Sequence, residues 1–206
     1  MKVFTDDTWI AALEESGGHH RQFQVLDARG PEDHGAKRSV LTIHTESSCS
    51  IVVSGCVSNR RELDLLSTPQ GPADDAARIL RAYLRDGDRC FSKIRGIFAL
   101  VLWDPRSDTL LAARDALGIL PLFYAQAAHR WLFSPTLEAL LSQTSVSNRL
   151  DSTVLAEHLF DQWVNGEETE YEAIRRLLPG HVLTIRRHAV SASSYAAGNG
   201  YSGASR

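Results

Sequence analysis

The stretch "GIFALVLWDPRSDTLLAARDALGILPLFY", residues 96–124, decides the fold of this chain. Its first nine residues are apolar almost throughout, which is typical of a strand buried on both faces. A polar turn at residues 105–108 separates this run from a second apolar run, so the two runs predict an antiparallel hairpin. Because a sheet buried on both faces needs a cover on each side, helices or a second sheet must pack against it.

Short strands and helices are predicted on both sides of this hairpin. Gly55 interrupts one β-branched run, which indicates a bulge or a close backbone approach. Asp74 and Asp75 begin an amphipathic helix, and Gly87 is a C-cap signal for it. Strands are predicted at residues 22–30, 39–46, 50–59, 118–125, 129–135 and 181–188, and helices at 74–86, 135–143 and 150–164. Asp151 or Ser152 is the expected N-cap of the last helix, and Thr169 with Glu172 predicts a capping box.

Composition restricts the class of protein. The chain has 206 residues, 43% of them hydrophobic, and a formal net charge of -3. That length fits one domain with a tail, and that charge gives no reason to expect nucleic acid or a membrane surface as a partner. The three cysteines match neither a disulfide framework nor a zinc pattern, so no metal site is expected. No signal peptide and no apolar run of roughly 20 residues is found, so we expect a cytoplasmic protein.

Several motifs occur in an order that resembles the amidotransferase half of asparagine synthetases. That family has a G-x-F-A-F-x-x-x-D strand followed by an R-D-x-x-G-x-x-P-L-Y-Y turn. The first motif is matched by Gly96, Phe98, Ala99 and Asp104, and the second by Arg114, Asp115, Gly118, Pro121, Leu122 and Tyr124. The resemblance covers residues 50–188, and residues 1–49 match poorly.

The resemblance implies a class II glutamine amidotransferase fold of the N-terminal-nucleophile type. This is an α+β, four-layer αββα sandwich of two antiparallel sheets. It implies a domain at residues 1–188, followed at 189–206 by a Ser/Gly/Ala-rich linker or disordered tail toward a missing synthetase domain. Arg114, Asp115, Gly118 and Pro121 are then a structural corner, where we expect the two charges to satisfy each other if they are buried.

The glutamine site of the family is matched only in part. In the family the nucleophile is a cysteine that becomes the first residue when the initiator Met is removed. The free α-amino group of that cysteine, with a pKa of about 7.7–8.0, serves as the base. This chain begins "MKVF", and Lys2 offers no nucleophile. Ser54 stands at the position of the oxyanion-hole Asn, while Gly55 and Asn59 are retained. The resemblance aligns Asp75 with the residue that holds the α-amino group of glutamine and Arg38 loosely with another substrate-binding residue.

These differences favour a degenerate glutamine amidotransferase-like domain without glutaminase activity. Relatives without the cysteine include β-lactam synthetases and lasso-peptide cyclases, which form an amide within one substrate. The expected partner is an ATP-dependent synthetase domain, in the same chain or a separate one, which would bind ATP and Mg. Two alternatives remain: an active glutamine-hydrolysing domain with another nucleophile, such as Cys56 or Thr5, and a stand-alone module that binds a small ligand or a peptide. The sequence leaves the oligomeric state open, a homodimer included.

Overall fold

The computed structural model describes residues 9–16, 20–27, 42–65, 74–160, 166–187 and 189–196. The strands are β1 (Trp9–Ser16), β2 (His20–Asp27), β3 (Thr42–Glu46), β4 (Cys49–Val57), β5 (Gly96–Asp104), β6 (Thr109–Arg114), β7 (Phe123–Ala127), β8 (Arg130–Ser134), β9 (Ile174–Arg176), β10 (His181–Arg186) and β11 (Ala189–Ser194). The helices are α1 (Arg60–Leu65), α2 (Asp75–Asp86), α3 (Leu137–Leu141) and α4 (Ser152–Leu159), and a 3-10 helix follows α2 at Gly87–Lys93. None of the helices among these described residues has the length and apolar character needed to cross a membrane.

Two antiparallel sheets pack face to face. One has the strand order β2-β1-β8-β7-β9 and the other β11-β10-β6-β5-β4-β3. Trp9 and Phe133 from the first sheet meet Val101 from the second in a shared buried cluster. α2 and the 3-10 helix cover the outer face of the six-stranded sheet, while α3 covers the five-stranded one. The predicted α+β fold with four layers is therefore confirmed.

The hairpin predicted at the centre of the fold is β5–β6. Asp104 pairs with Thr109 at its turn, and Ala99 pairs with Arg114 at its open end. β4 lies on the other side of β5, so β5 is an interior strand. Leu100 faces the helices and Val101 faces the second sheet, and both are fully buried. This double burial is the reason for the nearly continuous apolar sequence.

The caps of α2 explain where that helix begins and ends. The Asp74 carboxylate accepts a hydrogen bond from the Ala77 amide at 2.7 Å, which satisfies one of the free N–H groups of the first turn. Gly87 has φ +64° and ψ −148°, a combination open essentially to glycine, and its amide donates to the Tyr83 carbonyl at the end of the helix. Between the caps, Ile79 and Leu80 are fully buried against the six-stranded sheet. α2 therefore has a fixed start, and Asp75 is its first residue.

The helix predicted from the capping box at Thr169 and Glu172 is wrong. The Thr169 hydroxyl donates to the Ile174 carbonyl at 2.8 Å and accepts from the Tyr171 amide at 3.2 Å, closing a turn that leads into β9. Ile174 is fully buried because β9 pairs with β7. Sheet pairing with a distant strand therefore prevails over a local helix signal.

The prediction of a linker or disordered tail from residue 189 is wrong for Ala189–Ser194. These residues form β11, the edge strand that pairs with β10 along its whole length. All six are exposed, so they carry no hydrophobic pattern that the sequence could display. Tyr195 then packs against the core beneath α2, while residues 197–206 lie outside the described residues.

Candidate functional site

Four of the five predicted pocket residues lie on β4, just after β4 or at the start of α2. Ser54 is buried on β4 opposite Ala99 of β5. The Val57 amide at the end of β4 donates to the Asp75 carboxylate at 3.0 Å, which links the strand to the first residue of α2. Arg38, the fifth predicted pocket residue, lies outside the described residues.

Gly55 marks a close approach between β4 and its neighbours. Its φ of +102° is a conformation that side chains rarely adopt. A Cβ atom at this position would lie 2.1 Å from the Ile97 carbonyl oxygen and 2.8 Å from Leu120 Cδ1. Only a glycine allows β4, β5 and the Leu120 side chain to meet here, which agrees with the close approach expected from the sequence.

Asn59 connects three segments through its side-chain amide. Its Nδ2 donates to the Lys93 carbonyl at 2.9 Å and to Glu62 at 3.1 Å. Its Oδ1 accepts from the Arg95 amide at 3.0 Å. Both ends of the amide are therefore bound to protein groups, and Asn59 holds α1 against the start of β5.

Asp75 has a buried carboxylate whose acceptor positions are all engaged. Arg60 donates to it in a two-pronged arrangement, with Nε and Nη2 each 2.7 Å from a carboxylate oxygen. The Val57 amide and, more distantly, Arg78 Nη1 at 3.4 Å complete the set. Burial by itself would raise the pKa of Asp75, but the hydrogen bonds from Arg60 and Val57 outweigh it and hold this pKa below its ordinary value. Asp75 is therefore ionised and paired at neutral pH.

Sequence reasoning missed Arg60 as a member of this site. It is the first residue of α1 and stands fifteen positions before its partner. No helix or strand period connects two residues at that separation, and the intervening residues 66–73 lie outside the described ranges. Only the tertiary arrangement brings this guanidinium to Asp75.

The corner at Arg114 and Asp115 is bound to the backbone. Arg114 donates to the carbonyls of Leu120, Leu177 and Gly118 at 2.7, 2.8 and 2.6 Å. The fully buried Asp115 accepts from the amides of Leu117, Ile119 and Leu120 at 3.0, 3.2 and 3.2 Å. The expectation that the two charges satisfy each other is wrong, because each is satisfied by main-chain groups. Gly118 has φ +63° and packs on Pro179, while Pro121 precedes β7.

The free cysteines differ in their surroundings. Burial and the neighbouring Asp104 raise the pKa of Cys49 to about 11, and burial raises that of Cys90 to about 12. Neither thiol therefore supplies a nucleophile at neutral pH. Cys56 is exposed. Among the described residues, no group of three or more His, Cys, Asp or Glu side chains could hold a metal ion.

Comparison with known proteins assigns this fold to a family. Residues 20–196 match the family model described as the glutamine amidotransferase domain. The chain belongs to that family. It is a class II amidotransferase domain similar to those of asparagine synthetases, and the match extends past residue 188 through β11.

Curated relatives of this amidotransferase domain are longer proteins. The glutamine-hydrolyzing asparagine synthetase 3 of Bacillus subtilis is 26% identical over 182 residues, which cover 85% of this chain and 29% of that protein. A putative glutamine-hydrolyzing asparagine synthetase of Mycobacterium bovis is 32% identical over 144 residues, covering 66% of this chain and 22% of that protein. The amidase chyE of Penicillium rubens is 32% identical over 113 residues, covering 54% and 16%. The chain thus spans less than a third of each of these relatives.

Solved structures support the fold of this amidotransferase domain. The glutamine phosphoribosylpyrophosphate amidotransferase of B. subtilis superposes with a TM-score of 0.53 at 12% identity, over 93% of this chain and 44% of that one. A glutamine aminotransferase class-II domain protein from Silicibacter pomeroyi also has a TM-score of 0.53, at 13% identity, over 93% and 99% of the two chains. At such low identity these likenesses concern the fold alone.

Proposed function

We propose that this chain is an amidotransferase domain that does not hydrolyse glutamine and that supports an ATP-dependent, amide-forming synthetase domain. The state of Asp75 carries the proposal. The resemblance aligns Asp75 with the family's aspartate that binds the α-amino group of glutamine. In this protein the Asp75 carboxylate is instead paired with Arg60 and with the Val57 amide. A carboxylate has about four acceptor positions, and Asp75 receives four contacts from the protein, so none remains for an ammonium group.

The neighbouring positions support the same function. Ser54 stands where the family has the oxyanion-hole asparagine, and its side chain is shorter than an asparagine side chain. Loss of one oxyanion donor typically lowers a catalytic rate by about 10²–10³. Asn59 is retained, but both ends of its amide are bound to Lys93, Glu62 and Arg95. The fold of the domain is thus maintained by residues that no longer face a substrate.

The activity of the whole system then belongs to the partner domain. The partner would bind ATP and Mg, activate a carboxylate and join it to an amine of the same substrate, as in β-lactam synthetases and lasso-peptide cyclases. Such a reaction needs no ammonia, so the glutamine site is not needed. The partner domain would follow in the same chain or be a separate chain in the cytoplasm. The long asparagine-synthetase relatives support a partner of this class.

The first test is ammonia release from L-glutamine by the purified protein. We expect no release above the rate without protein, while the glutamine-hydrolyzing asparagine synthetase 3 of B. subtilis serves as the active control. The alternative is an active glutaminase, and steady ammonia release that is lost in Asp75→Asn would establish it. Loss of that release in Cys56→Ala as well would identify Cys56 as the nucleophile. A second test asks whether the protein copurifies with an ATP-dependent synthetase encoded beside it, which a stand-alone binding module would not do.

A further inference from the structure

Arg60 lies between the Asp75 carboxylate and the solvent. The Arg60 side chain is 51% exposed and the Asp75 side chain 4% exposed. The other partners of the carboxylate come from within the protein, namely the β4 amide of Val57 and the α2 side chain of Arg78. The Arg60 side chain is the more exposed of the two arginines that reach the carboxylate, at 51% against 18% for Arg78, so a ligand that comes from solvent would meet it first.

The ion pair between Arg60 and Asp75 is stronger than the contact that an ammonium group could make in its place. Arg60 presents two N–H groups to two carboxylate oxygens at equal distances of 2.7 Å. Paired contacts of this type are stronger and more specific in geometry than the single contact of a free ammonium ion. The guanidinium is also covalently part of the chain, so its effective concentration at Asp75 far exceeds that of a free ligand.

We infer that Arg60 determines specificity in this site by occupying, with its own guanidinium, the position that an amine-bearing ligand would take. This inference rests on the proposed function, since it takes Asp75 as the amine anchor of an inactive glutamine site. It goes beyond that function by assigning the loss of amine binding to one replaceable residue. Arg78 does not take over the role, because its Nε is held by Asp64 at 2.8 Å and its contact with Asp75 is long.

The test compares two single substitutions in neighbouring arginines. Arg60→Met keeps the length and apolar stem of the side chain but removes the charge. Arg61→Met is the matched control, since Arg61 is the next residue of α1, is exposed and makes none of the contacts with Asp75. The probes are L-glutamine and 4-carbamoylbutanoate, which is glutamine without its α-amino group.

We expect L-glutamine at ten times its dissociation constant to raise the Tm of Arg60→Met by about 3–6 °C. The wild type and Arg61→Met should not respond, and 4-carbamoylbutanoate should have no effect on any of the three. Adding Asp75→Asn to Arg60→Met should abolish the response, which places the amine at Asp75. If Arg60→Met does not melt cooperatively, Arg60→Gln replaces it with the same expected outcomes.

A cooperative Arg60→Met protein that ignores L-glutamine overturns the role of Arg60, as does a wild type that responds as strongly as the variant. Equal responses to glutamine and to 4-carbamoylbutanoate also overturn it, because binding would then not involve the amine. These results differ from failure of the proposed function, which is ammonia release by the wild type. The role of Arg60 can therefore fail while the proposed function stands, whereas ammonia release by the wild type would overturn both.

Discussion

At the residue scale, the buried carboxylates of Asp115 and Asp75 differ in the groups that donate hydrogen bonds to them. Asp115 is held by three backbone amides of its own turn, whereas Asp75 depends on Arg60 and on the distant Val57 amide. The first arrangement is local and fixes a loop. The second joins β4, α1 and α2, so its loss should affect the stability of the whole domain.

Asp75→Asn should lower the free energy of unfolding at pH 7 by about 1–3 kcal/mol, because it weakens charged hydrogen bonds to a buried group. The pKa of Asp75 is lower in the folded protein than its ordinary value of 3.8. Its stabilisation is therefore complete above about pH 4 and is lost as the pH falls through the folded pKa. Urea unfolding at pH 7 and pH 3 measures this, and the difference between wild type and variant should shrink at pH 3.

The control for that substitution is Asp64→Asn. Asp64 pairs with Arg78 but its side chain is 48% exposed, so its loss should cost less than about 1 kcal/mol. An Asp75→Asn variant whose stability deficit is the same at both pH values would contradict the role given to the Asp75 charge.

The three thiols should react at different rates in the native protein. At pH 8, iodoacetamide should modify the exposed Cys56, while Cys49 and Cys90 stay unmodified because burial raises their pKa to about 11 and about 12. Mass spectrometry of the labelled peptides measures the outcome, and labelling in urea, where all three should react, is the control. Modification of Cys49 or Cys90 in the folded protein would contradict the described burial.

At the element scale, helix caps and hairpins were predictable while edge strands were not. Asp74 and Gly87 mark the start and the end of α2 through hydrogen bonds to residues three or four positions away, so the sequence predicts both limits. β11 has no buried face, and the segment before β9 carries a helix signal that its pairing with β7 overrides. Elements defined by distant partners leave little local trace.

Two glycines with positive φ should differ in how much a substitution by alanine lowers the stability of the protein. Gly55→Ala should lower the free energy of unfolding by more than about 2 kcal/mol, because the new Cβ would collide with the Ile97 carbonyl and the backbone would be strained. Gly87→Ala is the matched control: its φ of +64° with ψ −148° should cost alanine about 1–3 kcal/mol in backbone strain, but nothing lies within 4 Å of the added atom, so its loss should be the smaller of the two. Thermal unfolding of both variants gives the comparison, and equal losses would exclude the close approach of β4 to β5.

At the scale of the whole molecule, the layer between the two sheets should make unfolding a single transition. Phe133 is fully buried there beside Tyr124, with ring centroids 6.2 Å apart. Phe133→Ala should therefore cost about 3–5 kcal/mol. Phe23→Ala is the control, because Phe23 is only partly buried at the margin of the same cluster and should cost less.

Urea unfolding, followed by far-UV circular dichroism and by tryptophan fluorescence, tests whether the domain unfolds in a single transition. The fluorescence signal combines the four tryptophans of the chain, of which Trp9 and Trp131 lie in the five-stranded sheet and Trp103 in the six-stranded one. The two signals should change at one urea concentration in each variant. Separate midpoints for the two signals would contradict unfolding as a single transition.

The sequence by itself determined the doubly buried hairpin, the limits of α2, the close approach at Gly55 and the family, because these depend on apolar patterns, caps and motifs within short stretches. The tertiary structure alone decided that Arg60 reaches Asp75, that Arg114 and Asp115 bind the backbone rather than each other, and that Ala189–Ser194 joins a sheet. The physical reason is the same in each case. A buried charge or an edge strand is satisfied by whichever groups the folded chain brings near it, and those groups are chosen by packing across the molecule rather than by neighbours in sequence.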